Sequence, residues 1–144
     1  MRLRGVPLIR QEKENSCWHA AARMVYGYKR HASIHPLPHS YQDNHGISAT
    51  EFIELARAIG LRTLPRVNMS YGEGFIDDML RRYGPIWAAG NWNGVPHIIV
   101  VTGVDSDGTL YINDPAFLTP QVRDIGWFND RIADDVPIPM MYLP

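Results

Sequence analysis

The sequence predicts an α+β domain in which helices come first and an antiparallel sheet follows. Three observations carry this. Apolar residues recur at helical spacing in "NSCWHAAARMVYGY", "ISATEFIELARAIG" and "GFIDDMLRRYG". After Pro85 the pattern changes to short apolar or β-rich runs, "PIWAAGNW", "HIIVVTGVD" and "TLYIND", parted by Gly, Asn and Asp. The tetrapeptide "DSDG" at 105–108 has the turn chemistry that folds the last two runs into a hairpin. No repeat, low-complexity tract or linker divides the chain, so residues 1–144 read as a single domain.

Each element has its own warrant. Asn15 and Ser16 are N-cap residue types, and Cys17, Ala21, Met24, Val25 and Tyr28 follow i, i+4, i+7, i+8, i+11, one buried helical stripe. Pro36 and Pro38 then exclude continued helix, which makes "KRHASIHPLPHSYQDNHG" a loop. In the second helix Ser48 and Glu51 form a capping box, Ile47 and Phe52 take the hydrophobic-staple positions, and Gly60 stops the run. Gly84 and Pro85 end the third. Beyond the hairpin, "DIGWFNDRI" reads as a short helical piece, and "VPIPMMYLP" as an edge strand, because proline donates no ladder hydrogen bond.

Composition narrows the function classes. With 45% hydrophobic and 20% charged residues the chain resembles an ordinary soluble protein, and no run of eighteen apolar residues suggests a membrane span. Arg4 and Arg10 interrupt the apolar opening, so it lacks the core of a secretory signal, and synthesis in the cytoplasm is expected. The net charge of -1 is unevenly spread: residues 1–30 carry seven Lys or Arg against two Glu, and residues 105–144 carry two Arg against seven Asp. The basic start is expected to lie against the acidic end or to face a partner. The basic residues are otherwise scattered, which argues against a nucleic-acid surface.

The lone cysteine, Cys17, opens the first helix. Free cysteine is most often a small buried hydrophobe. A helix N-terminus, however, favours negative charge and so favours the thiolate, the nucleophilic form. A nucleophile needs a neighbouring imidazole, and of the six histidines His97 is the best placed, since a polar ring at the start of so apolar a strand belongs at a cleft. If the turn pairs Val104 with Thr109, His97 faces Ala116 and has Asp114 as its same-face diagonal neighbour, about 7–8 Å away at Cα and within side-chain reach. Asp114 can then orient the imidazole; its plainer reading is a turn residue before Pro115. Gln11 carries an amide of the type that holds an oxyanion, although spacing alone does not require it.

His19 lies about 200° around the helix from Cys17, too far to pair with the thiol, but near enough to line a cleft. His31, His35, His39 and His45 have two prolines among them and no cysteine or acidic ligand motif beside them, so no metal site is expected. Trp92 in "GNWNG", before His97, is expected either to fill the core or to wall a substrate groove.

Gln11, the pair Cys17-Trp18 opening an apolar helix, His97 and Asp114, taken in that order, resemble the papain-like cysteine peptidases. The likeness is to the short bacterial branch of staphopain-like and phytopathogen-effector peptidases and related interbacterial toxin domains. "HIIVVTGVDSDGTLYINDP" is also similar to the bacteriocin-leader-processing peptidases, but those usually place Gly after the cysteine, where this chain has Trp18.

The resemblance implies a papain-like fold, an N-terminal helical half packed on a C-terminal antiparallel sheet with the cleft between them. It implies Cys17 as nucleophile, His97 as acid and base, Asp114 as orienter and Gln11 as oxyanion donor, with Trp18, Trp92 and His19 at the substrate. No cofactor is implied. The expected partners are a protein or peptide substrate and a cognate immunity protein, with delivery into target cells by a specialised secretion system. Leader-peptide processing, deamidation and transglutamination use the same acyl-thioester chemistry and stand as alternatives.

Overall fold

The computed structural model describes residues 1–12, 16–31, 49–58, 60–64, 70–133 and 139–144. In chain order the elements are α1 (Cys17–Arg30), α2 (Ala49–Ala58), β1 (Arg62–Thr63), α3 (Glu73–Tyr83), β2 (Ile86–Gly90), β3 (His97–Val104), β4 (Thr109–Asn113), β5 (Gln121–Asp124), α4 (Ile125–Arg131) and β6 (Met140–Tyr142). The strands form one antiparallel sheet in the order β1-β6-β2-β3-β4-β5.

Helix α1 begins where the sequence predicts, with the Ser16 carbonyl accepting the first helical bond from the Ala20 N–H at 3.1 Å. It ends at His31, whose backbone turns left-handed (φ 51°) and whose N–H closes onto the Gly27 carbonyl. The buried face is wider than the predicted stripe. Trp18, Ala20 and Ala22 are buried along with Cys17, Ala21, Met24 and Val25, while Tyr28 is only half-buried. The short alanine side chains let this face approach the sheet closely, and the Trp87 indole N–H donates to the Trp18 carbonyl at 3.2 Å, fastening β2 to the first turn of α1.

Helix α3 complements its own dipole, with Glu73 in the first turn, Arg81 and Arg82 in the last, and i,i+4 pairs Asp77–Arg81 and Asp78–Arg82 at 2.7 and 3.0 Å. Gly84, at φ 83°, stops it and donates to the Leu80 carbonyl. Asp124 caps α4 by accepting the Trp127 N–H.

Strict alternation splits the sheet residues between two cores. Trp87, Ala89, Ile98, Val100 and Met141 join α1 and Ile53 of α2. Ile86, Ala88, Ile99, Val101, Ile112 and Met140 join α3 and Phe128 of α4. The α+β class and the antiparallel sheet stand, but the helices do not form one layer: α1 and α2 cover one face, α3 and α4 the other. The strands β2 and β3 are buried at every position because they are covered on both faces, which is why they read as largely apolar runs.

Two strand assignments differ from the sequence reading. β6 is not an edge strand; it lies between β1 and β2, and its three residues, Met140 to Tyr142, contain no proline. The edges are β1 and β5, both short and unanticipated. The capping-box and staple residues Ile47 and Ser48 lie outside the described residues, as do His35, His39 and His45.

The first residues of the chain complete the fold. The Leu3 N–H donates to the Thr102 carbonyl, and Met1 and Val104 bond each other in both directions, beyond the point where β2 stops pairing with β3. The Arg2 guanidinium lies 4.2 Å over the Tyr111 ring, whose hydroxyl donates to Asp105. Of the basic start, Arg2 thus meets the C-terminal half, on an aromatic ring bonded to Asp105.

Candidate active site

Cys17, His97 and Asp114 each stand at an end of an element: the first residue of α1, the first of β3 and the residue after β4. The hairpin register decides whether the last two can meet. Near the turn, Val104 pairs with Leu110 rather than Thr109, and Gly103 with Tyr111, one residue out from the sequence-based register. A bulge at Thr102 takes up the extra residue, and Val101 then pairs with Ile112 and Val100 with Asn113. Extended by one step, this places Asp114 opposite Ile99, diagonal to His97. The expected register is therefore wrong at the turn and right at the site.

The pairing that results is tight. His97 Nε2 lies 2.5 Å from Asp114 Oδ1, with the two side chains 8% and 5% exposed. The Cys17 side chain acts on the same imidazole, raising its affinity for a proton. Burial pulls the imidazole pKa down, but the hydrogen bonds to Asp114 and Cys17, together with their charges, outweigh it and raise the value to about 9. Burial would push the Asp114 carboxyl up. The hydrogen bond and charge of His97, the Ala116 N–H and the Asn93 amide outweigh that and hold it below its ordinary value. The two directions agree, and near neutral pH the pair is imidazolium and carboxylate.

Asp114 also makes the local bonds of a turn. Its Oδ1 accepts from the Ala116 N–H at 2.9 Å and its carbonyl from Phe117 at 3.0 Å. Both readings of this residue hold at once, since the turn fixes the carboxylate that the histidine uses. Oδ2 accepts from Asn93 Nδ2 at 3.1 Å. Asn93 was missed by sequence reasoning; its loop was singled out, but only as a groove.

Cys17 is 2% exposed and shares the apolar cluster under α1, so it packs as a core residue while acting on an ionisable ring. The Gln11 N–H donates to the Pro115 carbonyl at 2.9 Å, which ties the segment before α1 to the loop carrying Asp114. Asn113 Nδ2 reinforces this by donating to the Val6 and Pro7 carbonyls.

Trp18 and Trp92, expected at the substrate, are each 2% exposed and pack in the two cores. Trp92 stacks on Trp127 and Phe128 with ring centroids 5.2 Å away, and its indole N–H donates to the Ala88 carbonyl. In the structure their surfaces are taken up by packing, as is that of Cys17. His19 is half-buried, 5.5 Å from the Trp18 ring. Burial, and secondarily Arg23, lowers its pKa, so it is a neutral ring apart from the Cys17–His97 pair. Among the described residues no helix is long and apolar enough to cross a membrane.

A nucleophile at a helix start, an imidazolium beside it and a buried carboxylate behind that ring can carry out acyl transfer through a thioester. No curated protein matches the chain. The family model described as papain-like cysteine protease AvrRpt2 matches residues 2–133, nearly the whole length and including Gln11, Cys17, His97 and Asp114. The chain therefore belongs to the papain-like cysteine protease AvrRpt2 family and is a cysteine protease, a hydrolase that acts on protein substrates.

Proposed function

We propose that the protein cleaves a specific protein target through Cys17, His97 and Asp114. The reading is carried by one observation: the buried His97 ring sits 2.5 Å from the Asp114 carboxylate, with the Cys17 side chain acting on the same ring. Cys17 Sγ, as thiolate, attacks the scissile carbonyl carbon, and the electron pair moves to oxygen. The Gln11 amide and the Cys17 backbone N–H stabilise that oxyanion. When the tetrahedral species collapses, the C–N bond breaks and the imidazolium gives its proton to the departing amine. A water then loses a proton to neutral His97 as it attacks the thioester, releasing the acid and restoring the ion pair. Asp114 stays ionised throughout, holding the ring and its charge.

The biological role in this proposal is that of a bacterial effector or interbacterial toxin domain, delivered into a target cell and restrained in the producer by an inhibitor protein. Family membership supports the effector role, and the inhibitor follows from the danger of an active protease to the cell that makes it. Comparison of protein termini in cells expressing wild type and Cys17→Ala tests both the chemistry and the target. New termini confined to wild type are expected. Ammonia release without new termini would replace cleavage by deamidation.

A further inference from the structure

We propose that Asn93 is a positioning residue for the reaction, acting through Asp114, and that the 91–94 turn exists to present its amide to Oδ2 of that carboxylate. The inference rests on the triad reading above and assigns a role that this reading does not contain.

The turn is built to hold one geometry. Gly90 pairs with His97, and a Cβ there would lie 2.5 Å from the Arg131 carbonyl and 2.7 Å from the Trp92 ring, so the backbone is pressed against both. Trp92 plugs into the core with its N–H bound to the Ala88 carbonyl. The Asn91 N–H donates to the Arg131 carbonyl at 2.8 Å, and Gly94, at φ 83°, closes back onto Asn91 at 3.3 Å. Asn93 is exposed on this anchored turn, as are Asn91 and Gly94, and its amide reaches to Asp114.

The chemistry suits an amide. Asp114 Oδ1 serves His97 and the Ala116 N–H, and the Asn93 amide is the partner of Oδ2. A neutral donor satisfies a buried lone pair and fixes the carboxyl plane. A cation would instead neutralise the charge on which His97 depends.

The test follows the His97 imidazole by NMR titration in wild type, Asn93→Ala and Asn93→Asp, alongside peptide cleavage across pH. Asn93→Ala should shift the His97 midpoint by about half a pH unit or more, the order expected when the charged carboxylate facing the ring loses one hydrogen bond. Its kcat should fall about tenfold or more with KM little changed, since hydrogen bonds to charged groups are the stronger ones. In Asn93→Asp the new carboxyl donates to Oδ2 while it keeps its proton, so activity should approach wild type in acid and fall as that proton leaves. A merely structural role for the turn would not give this acid rescue. An unchanged His97 midpoint in Asn93→Ala, or an Asn93→Asp profile that tracks wild type at every pH, overturns the proposal. Absence of peptide cleavage by wild type would sink the triad reading instead, and the two failures are separable because the titration needs no substrate.

Discussion

The two ends of strand β3 are equally buried and close in opposite ways. At its first residue, His97, the strand is completed by side chains: a carboxylate at 2.5 Å, a thiol and, through the carboxylate, an amide. At its last residues it is completed by backbone, as Met1 and Leu3 bind Val104 and Thr102 and Gly103 gives up its side chain to let Arg2 pass. The Thr102 bulge separates the two regions. The turn end can therefore satisfy hairpin geometry while the site end keeps the register that joins His97 to Asp114.

The contrast is broken most directly at the site. Cys17→Ala should abolish peptide cleavage while leaving the circular dichroism and melting transition near those of wild type, because removing a small sulfur disturbs packing little; residual cleavage above the uncatalysed rate would remove the sulfur from the mechanism. Asp114→Asn should come next, lowering kcat by up to about 10⁴-fold through loss of the charge and of the enforced ring orientation.

The same variant sharpens the electrostatic half of the comparison. In wild type His97 is raised from 6.5 to about 9, so its ion pair stabilises the fold fully below 6.5 and is lost as pH rises through about 9. Asp114 is lowered, so its contribution is present above 3.8 and lost as pH falls through its depressed value. Activity should accordingly fall on the alkaline side near pH 9, and in Asp114→Asn that limb should move toward neutrality. A limb that stays in place would mean that another group sets it.

Glycine substitutions compare the two ends at matched cost. Gly90→Ala and Gly103→Ala each force a Cβ into occupied space, 2.5 Å from the Arg131 carbonyl and 2.9 Å from Arg2 respectively, and each should destabilise by about 1–3 kcal/mol in chemical denaturation. Only Gly90→Ala should also lower kcat, since only that position faces His97; equal kcat losses would show that the bulge does not insulate the site. The smallest effect belongs to Arg2→Ala, which removes the contact over Tyr111 and should lower stability by about 0.5–1 kcal/mol with kcat unchanged.

The parts of the molecule legible in the sequence are those where a local rule and a tertiary need coincide. Cys17 at a helix start, His97 opening an apolar strand and Asp114 after the next one all follow from periodicity and turn chemistry. Asn93 followed no such rule, because an exposed asparagine in a Gly-rich turn looks the same whether its amide meets water or a carboxylate. Trp92 was ambiguous for the complementary reason: a tryptophan beside a loop can wall a groove or fill a core, and its stacking on Trp127 and Phe128 is what places it in the core. The placement of β6 was illegible because strand order is set by which chain segments return to the sheet, and no residue in Met140–Tyr142 records its neighbours.

The hydrogen bond from the Trp87 indole to the Trp18 carbonyl gives the molecule a built-in optical reporter. Trp87 is fully enclosed and touches the very turn that carries the thiol. Any excursion that lifts this helix off the sheet would wet that indole and shift its fluorescence to the red, so emission colour would read out how often the sulfur leaves its station, with no label attached.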